Sequence, residues 1–166
     1  MSTADVDRYY ERILEADELR KRGQTAQALA TALELTALVP SVIEETTSLH
    51  GHFDLGSIPP IETGCVLAAI LGDVGALDKI EMVVTAHQEL VPWREVIEGG
   101  RRDMALVAAI RGYLAAHPGA IQSELGHTLG CDGRQTSRLV GYMSQAGQVR
   151  REKRGRSYAL FLGSSS

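Results

Sequence analysis

The spacing of the apolar residues changes at one point in the chain, Gly147, and this change constrains the fold more than any other feature. Before Gly147, apolar residues recur every three or four positions, which is the spacing of an α-helix with one buried face. From Gln148 to Leu162 the period becomes alternating around a basic segment, which indicates two β-strands joined as a hairpin. The sequence therefore predicts a mainly α fold with one two-stranded hairpin at its C-terminal end.

About six helices, arranged in helical hairpins, are predicted in the first half of the chain. Gly, Pro and capping residues interrupt the helical pattern there at short intervals. Ser41 and Glu44 form a capping-box pattern that would start a new helix just after Pro40. The segment from His50 to Pro59 is rich in Gly, His and Pro and is expected to be a loop. The predicted helices span approximately Ala4 to Arg22, Thr25 to Leu38, Ser41 to Leu49, Pro60 to Gly72, Val74 to His87 and Val91 to Glu98.

A hinge between two domains is predicted at Gly99-Gly100-Arg101-Arg102, where paired glycines would make the chain flexible. We place a helical dimerisation or sensing domain at residues 1–100 and a second domain at residues 101–166. Charge divides at the same point, since residues 1–102 hold 9 Lys and Arg against 17 Asp and Glu, whereas residues 103–166 hold 8 against 4. The C-terminal part is therefore expected to attract phosphate, although the net charge of the chain is −4.

The chain of 166 residues has an ordinary hydrophobic content of 44% and is long enough to bury a core. It has no uninterrupted run of about 18 apolar residues, and its first residues lack the basic and apolar regions of a secretory signal. We therefore expect a cytoplasmic protein with no membrane partner. Cys65 and Cys131 are 66 positions apart, which fits neither a metal site nor a disulfide framework, so both are expected to be reduced thiols.

Three helical segments and the hairpin are predicted after residue 102. The first runs from Asp103 to Ala116 and the second from Ile121 to Leu129, each with an apolar stripe at helical spacing. Asp132 and Gln135 form a capping-box pattern that opens the third helix, at about 133–146. The residues expected to face the core are Thr136, Leu139, Val140 and Met143 on the third helix, and Val149, Tyr158, Leu160 and Leu162 on the strands.

The segment from Gly119 to Leu162 resembles the winged helix-turn-helix of bacterial transcriptional regulators. The resemblance is carried by Ser144-Gln145-Ala146-Gly147-Gln148-Val149, a helix end and first strand, and by Gly155-Arg156-Ser157-Tyr158-Ala159-Leu160, a glycine tip and returning strand. It covers about residues 103–162. It implies a sequence-specific regulator of transcription that binds double-stranded DNA, with a recognition helix in the major groove. A homodimer is expected, because one recognition helix covers only half of a palindromic site.

The resemblance places the candidate DNA-binding residues on the third helix and on the wing, residues 150–157. Arg can bind guanine, and Gln can bind adenine, through two hydrogen bonds each, whereas wing cations would bind phosphates or a narrow minor groove. The candidates are Arg134, Gln135, Ser137, Arg138 and Tyr142 on the helix, and Arg150, Arg151, Lys153, Arg154 and Arg156 on the wing. Arg134, Gln135 and Arg138 are expected to contribute most to base recognition.

The basic surface also has two simpler interpretations. Arginines on an exposed helix can form a solvated face, and a winged helix can dock a protein, as in an adaptor or an antitoxin-like partner. Cys131, at the entrance to the third helix, could be a thiol switch or an ordinary turn residue.

Other functions receive less support from the sequence. His50, His52 and Asp54 could supply part of a metal site, but a surface loop without metal is the simpler interpretation. Trp93 and Phe53 could line a ligand pocket, although lone aromatic residues are more often part of a core. The chain has no glycine-rich phosphate loop after a strand and no nucleophile elbow, so neither an enzyme nor a bound cofactor is expected. No residue pattern indicates a small-molecule effector.

Overall fold

The structure, a computed structural model, describes residues 4–163, and most of these residues lie in helices. The mainly helical fold predicted from the sequence is confirmed. The first two-thirds of the chain form α1 (Ala4–Lys21), α2 (Thr25–His50), α3 (Pro59–Leu71), α4 (Val74–Ala86), a 3-10 helix (Gln88–Trp93) and α5 (Arg94–Ala116). The remainder forms β1 (Ala120–Ile121), α6 (Gln122–Thr128), α7 (Gly133–Gln145), β2 (Val149–Arg154) and β3 (Ser157–Leu162).

The helix break predicted at Pro40 is absent, because α2 continues through this residue to His50. The capping box predicted at Ser41 and Glu44 is therefore wrong, since both residues lie inside the helix. Pro40 has no backbone N–H and removes one internal hydrogen bond, which is unfavourable in a helix interior. Burial on both sides of the proline offsets this loss. The buried residues nearest to it are Leu35, Thr36, Val39 and Val42.

Helix α2 is long and apolar enough to cross a membrane when it is judged by length and composition alone. Half of its most apolar window is buried inside the protein. It packs against α1 on one side and α3 on another. Helices buried in a globular core have the same composition, and α2 occupies such a position here.

The hinge predicted at residues 99–102 is also wrong, since this segment lies within α5, which runs without interruption from Arg94 to Ala116. Gly100 serves close packing instead of flexibility. A Cβ atom on Gly100 would lie 3.1 Å from Leu77 Cδ2 and 3.2 Å from Cys65 Cβ, so the absent side chain lets α5 approach α3 and α4. Val91, which was expected to begin a helix, lies in the 3-10 helix that precedes α5.

The core is centred on α3, which packs against α2, α4 and α5 and has nine buried residues among its 13. Buried side chains of both halves of the chain, from Tyr9 to Leu160, form one continuous cluster. The division into domains at residue 100 stays a prediction, but the packing already joins the two parts through α5. This continuity fixes α7 relative to the helical body.

The C-terminal strands form an antiparallel sheet with the order β1-β3-β2. The hairpin of β2 and β3 was predicted, and its two-residue turn has Gly155 at φ +59°, a conformation that glycine adopts without strain. Strand β1 was not predicted, because two residues are too few to show a period. Among the residues expected in this core, Val149 and Leu160 are buried and Tyr158 is half-buried, but Leu162 is 41% exposed at the end of β3.

Candidate nucleic-acid interface

Helix α7 begins at a side-chain cap. The Asp132 carboxylate accepts hydrogen bonds from the backbone N–H groups of Arg134, at 2.7 Å, and Gln135, at 3.1 Å. This confirms the N-terminal cap predicted from the sequence, but only half of the predicted capping box forms. The Gln135 side chain turns away from Asp132 and donates to Asp103 Oδ1 on α5, at 2.8 Å. The start of α7 is therefore fixed both by its own cap and by α5.

The faces of α7 divide as its sequence pattern predicts. The four residues expected to face inward, Thr136, Leu139, Val140 and Met143, are all buried. Arg134, Ser137 and Arg138 are exposed, whereas Gln135 and Tyr142 are half-buried. Gln135, Arg138 and Tyr142 lie on the flank of α7 that faces the helical body. The three exposed side chains are the more accessible to a large ligand.

A buried carboxylate on α5 engages two of the candidate base-reading residues. The Asp103 side chain is only 7% exposed, and its Oδ2 lies 3.3 Å from Nη1 of Arg138, whose side chain is 50% exposed. Its Oδ1 accepts the hydrogen bond from Gln135. We did not predict a role for Asp103 from the sequence. Its position was nevertheless a signal, because Asp103 precedes Leu106 by three residues and therefore lies on the apolar face of its helix.

The other end of α7 contacts the helical body through α1. The guanidinium of Arg20 lies 5.3 Å from the centre of the Tyr142 ring, within the range of a cation–π contact. The same guanidinium donates a hydrogen bond of 2.6 Å to the side chain of Gln145. Just after α7, Gln148 Nε2 donates to the carbonyl of Ile70 at the end of α3, at 2.9 Å. Contacts along the whole of α7 therefore hold it against α1, α3 and α5.

A polar cleft of about 430 Å³ lies between α3, α5 and α7. Asp103, Gln135, Arg138 and Tyr142 line it together with Glu62 of α3. Two carboxylates and one guanidinium therefore face the same space. The helical body thus presents acidic groups beside the basic helix.

The hairpin carries the other five candidate residues, and one acidic residue neutralises part of their positive charge. Glu152 pairs with Arg150 and, at 3.0 Å, with Arg154. The hydrogen bond from Arg150 holds the pKa of Glu152 below its usual value. Across residues 4–163, the basic candidates that form no ion pair are Arg134, Arg151, Lys153 and Arg156.

Two of these unpaired cations rest on an aromatic ring. The charged groups of Arg151 and Lys153 lie 5.1 Å and 4.8 Å from the centre of the Tyr158 ring. Such contacts orient a cation without neutralising its charge. Arg151 and Lys153 are thus oriented but still charged, and exposed Arg156 follows Gly155 in the hairpin turn.

The remaining candidate residues belong to the helical body. Throughout the described part of the chain, no three His, Cys, Asp or Glu side chains come together as metal ligands, and His50 and His52 are exposed. Trp93 is buried and its indole N–H donates to the carbonyl of Leu55 at 3.2 Å, as expected for a core residue. Phe53 is half-buried beside Tyr9 and Tyr10 in a separate cavity.

The two cysteines differ in their surroundings. Cys65 is buried in α3, and burial raises the pKa of its thiol to about 12. Cys131 is half-buried before α7, and its thiol donates to the carbonyl of Leu129 at 3.4 Å. Cys65 is therefore an inert thiol in the core, whereas Cys131 is a more accessible thiol in a turn.

Comparisons with protein-family models, with curated proteins and with solved structures found no match. The most distinctive surface of this chain is the combination of a capped helix, α7, with the basic hairpin that follows it.

Proposed function

We propose that this protein binds double-stranded DNA and recognises its sequence, as a regulator of transcription. The proposal depends above all on one observation: the capped helix α7 exposes Arg134, Ser137 and Arg138 and is followed directly by a hairpin with three unpaired cations. The order of elements from the C-terminal part of α5 to β3 is the order found in a winged helix-turn-helix. Helix α7 has 13 residues, so it is about 20 Å long and fits the major groove.

The two elements would have different roles in the complex. Arg134 and Arg138 are one helical turn apart, so both can reach base edges in one groove, and Ser137 lies between them. Gln135 and Tyr142 would act from the flank of the helix. Arg151, Lys153 and Arg156 would bind phosphates and contribute affinity with little sequence preference. Arg150 and Arg154 would contribute less, because Glu152 already neutralises part of their charge.

We further propose that the helical part forms a homodimer, which would place two copies of α7 on the two halves of a palindromic site. Tyr10 and Leu14 support this assignment, since they lie one turn apart on α1 and are 52% and 69% exposed. A second copy packed against this face of α1 would remove both side chains from water.

A second candidate function is supported by the partial neutralisation of the hairpin. Glu152 pairs with two of the five wing cations, and Asp103 pairs with Arg138. A surface of mixed charge suits a protein partner, so the winged helix could be the docking surface of an adaptor.

Binding of a labelled random duplex, measured by fluorescence anisotropy at two salt concentrations, distinguishes the two candidates. DNA binding predicts an affinity that falls steeply as salt rises, because cations on the protein displace counterions from the duplex. An adaptor would show no salt-dependent binding of the duplex. That result would contradict the proposed function.

A further inference from the structure

We infer that Asp103 inhibits DNA binding from within the chain, by holding Arg138 and Gln135 of α7 against α5. The inference rests on the DNA-binding function proposed above and adds a means of controlling it. Asp103 uses both carboxylate oxygens for this contact, one for each of the two side chains. The contact turns both side chains toward α5, and DNA must draw them away from Asp103 to align them with a base edge.

The contact competes with DNA because it fixes the direction of two side chains that would otherwise be free to contact bases. An arginine binds guanine through two N–H groups, and Arg138 already directs Nη1 toward Asp103. A glutamine binds adenine through its amide N–H and carbonyl, and Gln135 donates one of its two amide N–H groups to Asp103. Both side chains keep further N–H groups free, so the competition is over direction, because the contact turns both side chains toward α5.

The two sides of the contact differ in mobility. The Arg138 side chain is 50% exposed and can swing toward solvent without disturbing the core. Asp103 is 5% exposed on a helix whose neighbouring residues are packed into the core, so its carboxylate cannot follow. When Arg138 and Gln135 leave, a buried carboxylate loses both of its partners, which is unfavourable. DNA binding is weakened by this cost.

Two further features of the helical body also act against DNA binding by α7. Glu62 faces the cleft beside Asp103 and adds negative charge next to a helix that must approach phosphates. At the far end of α7, Arg20 contacts Tyr142 and Gln145 and holds the helix against α1. The acidic helical body thus restrains α7 along its length, and Asp103 is the point where it engages base-reading side chains directly.

The test compares two substitutions that each remove one negative charge from an Arg–Asp pair in the full-length protein. Asp103→Asn removes the charged partner of Arg138, and Asp78→Asn removes one of the two charged partners of Arg101, which also pairs with Glu81. The contact between Asp78 and Arg101 is 3.0 Å long and does not involve α7. We expect Asp103→Asn to tighten binding of a selected duplex about three- to tenfold, after allowance for solvent at the half-exposed pair. Asp78→Asn should change the affinity by less than about twofold, since it is a matched change of charge.

A double-mutant cycle shows whether the effect passes through Arg138. In an Arg138→Ala background, Asp103→Asn should give a clearly smaller gain than in the wild type, because only Gln135 remains to be released. An equal gain in both backgrounds would overturn the role assigned to Arg138. An unchanged or weaker affinity of Asp103→Asn would overturn the inhibition itself and make Asp103 a support for α7.

Nitrogen-15 NMR of the arginine side chains in the wild-type protein provides a readout that does not depend on folding of a variant. The Arg138 guanidinium signals should move when saturating duplex is added. If they keep their positions in the complex, Arg138 does not leave Asp103 and the inference is wrong. If the wild type and both variants bind no duplex, the proposed DNA function fails together with the inference. If the wild type binds but Asp103→Asn matches it, only the inference fails.

Discussion

The charges of the hairpin allow a quantitative prediction, because Glu152 divides its five cations into two paired and three unpaired residues. Each phosphate contact changes the slope of log affinity against log salt by about 0.9, so one contact accounts for about a 3.5-fold loss of affinity between about 50 and 200 mM salt. Arg156→Ala should therefore lower the magnitude of the slope by about 0.9. Arg150→Ala is the matched control and should lower it by less than about half as much, since Glu152 already neutralises Arg150.

Removal of the acidic residue should have the opposite effect. Glu152→Gln leaves Arg150 and Arg154 without their carboxylate, so the slope should become steeper by about one to two contacts, and binding at low salt should tighten. The assay is fluorescence anisotropy of a labelled duplex at four salt concentrations, with the fold of each variant checked by circular dichroism. Equal slopes for Arg150→Ala and Arg156→Ala, together with an unchanged slope for Glu152→Gln, would refute the reasoning.

Three further predictions concern the fold and the cysteines. Leu139→Ala should lower the free energy of unfolding by about 2–5 kcal/mol, measured by urea denaturation, because Leu139 is fully buried; a loss below about 1 kcal/mol would contradict its position in the core. Gly100→Val should lower it by about 1–3 kcal/mol, because a side chain there meets Leu77 and Cys65, whereas a true hinge would tolerate the change. At pH 8 a thiol reagent should modify Cys131 well before Cys65, because burial and a raised pKa of about 12 leave Cys65 almost no accessible thiolate. Mass spectrometry of the labelled peptides would show the order of modification. Faster labelling of Cys65 would contradict this prediction.

The elements that the sequence predicted correctly are those in which local signals and packing agree. In α7 the cap at Asp132, the apolar stripe that contains Leu139 and the following glycine all indicate one helix with one buried face. The hairpin was recognised in the same way, from alternation around Gly155. A local sequence pattern is informative about the fold where the packing of the element agrees with it.

The elements that the sequence did not predict depend on contacts with distant parts of the chain. Pro40 and the pair Gly99-Gly100 are strong local signals for a break, yet burial keeps α2 and α5 continuous through them. Tertiary packing overrides local preference at such positions. The contacts of Asp103 with α7 bridge more than 30 residues, and nothing near Asp103 in the sequence indicates which side chain it meets.

In the proposed function α7 reads bases while the hairpin binds phosphates, and selection from a random duplex pool tests this division most directly. The wild type should select a palindromic motif with half-sites about 10 base pairs apart, or a multiple of that distance. Arg138→Ala or Arg134→Ala should reduce the binding free energy for the selected site by about 1–3 kcal/mol and relax the preference at one base position. Arg156→Ala should instead weaken the binding of all duplexes alike. If Arg138→Ala weakened selected and scrambled duplexes equally while Arg156→Ala changed the base preference, α7 would not be the reading helix.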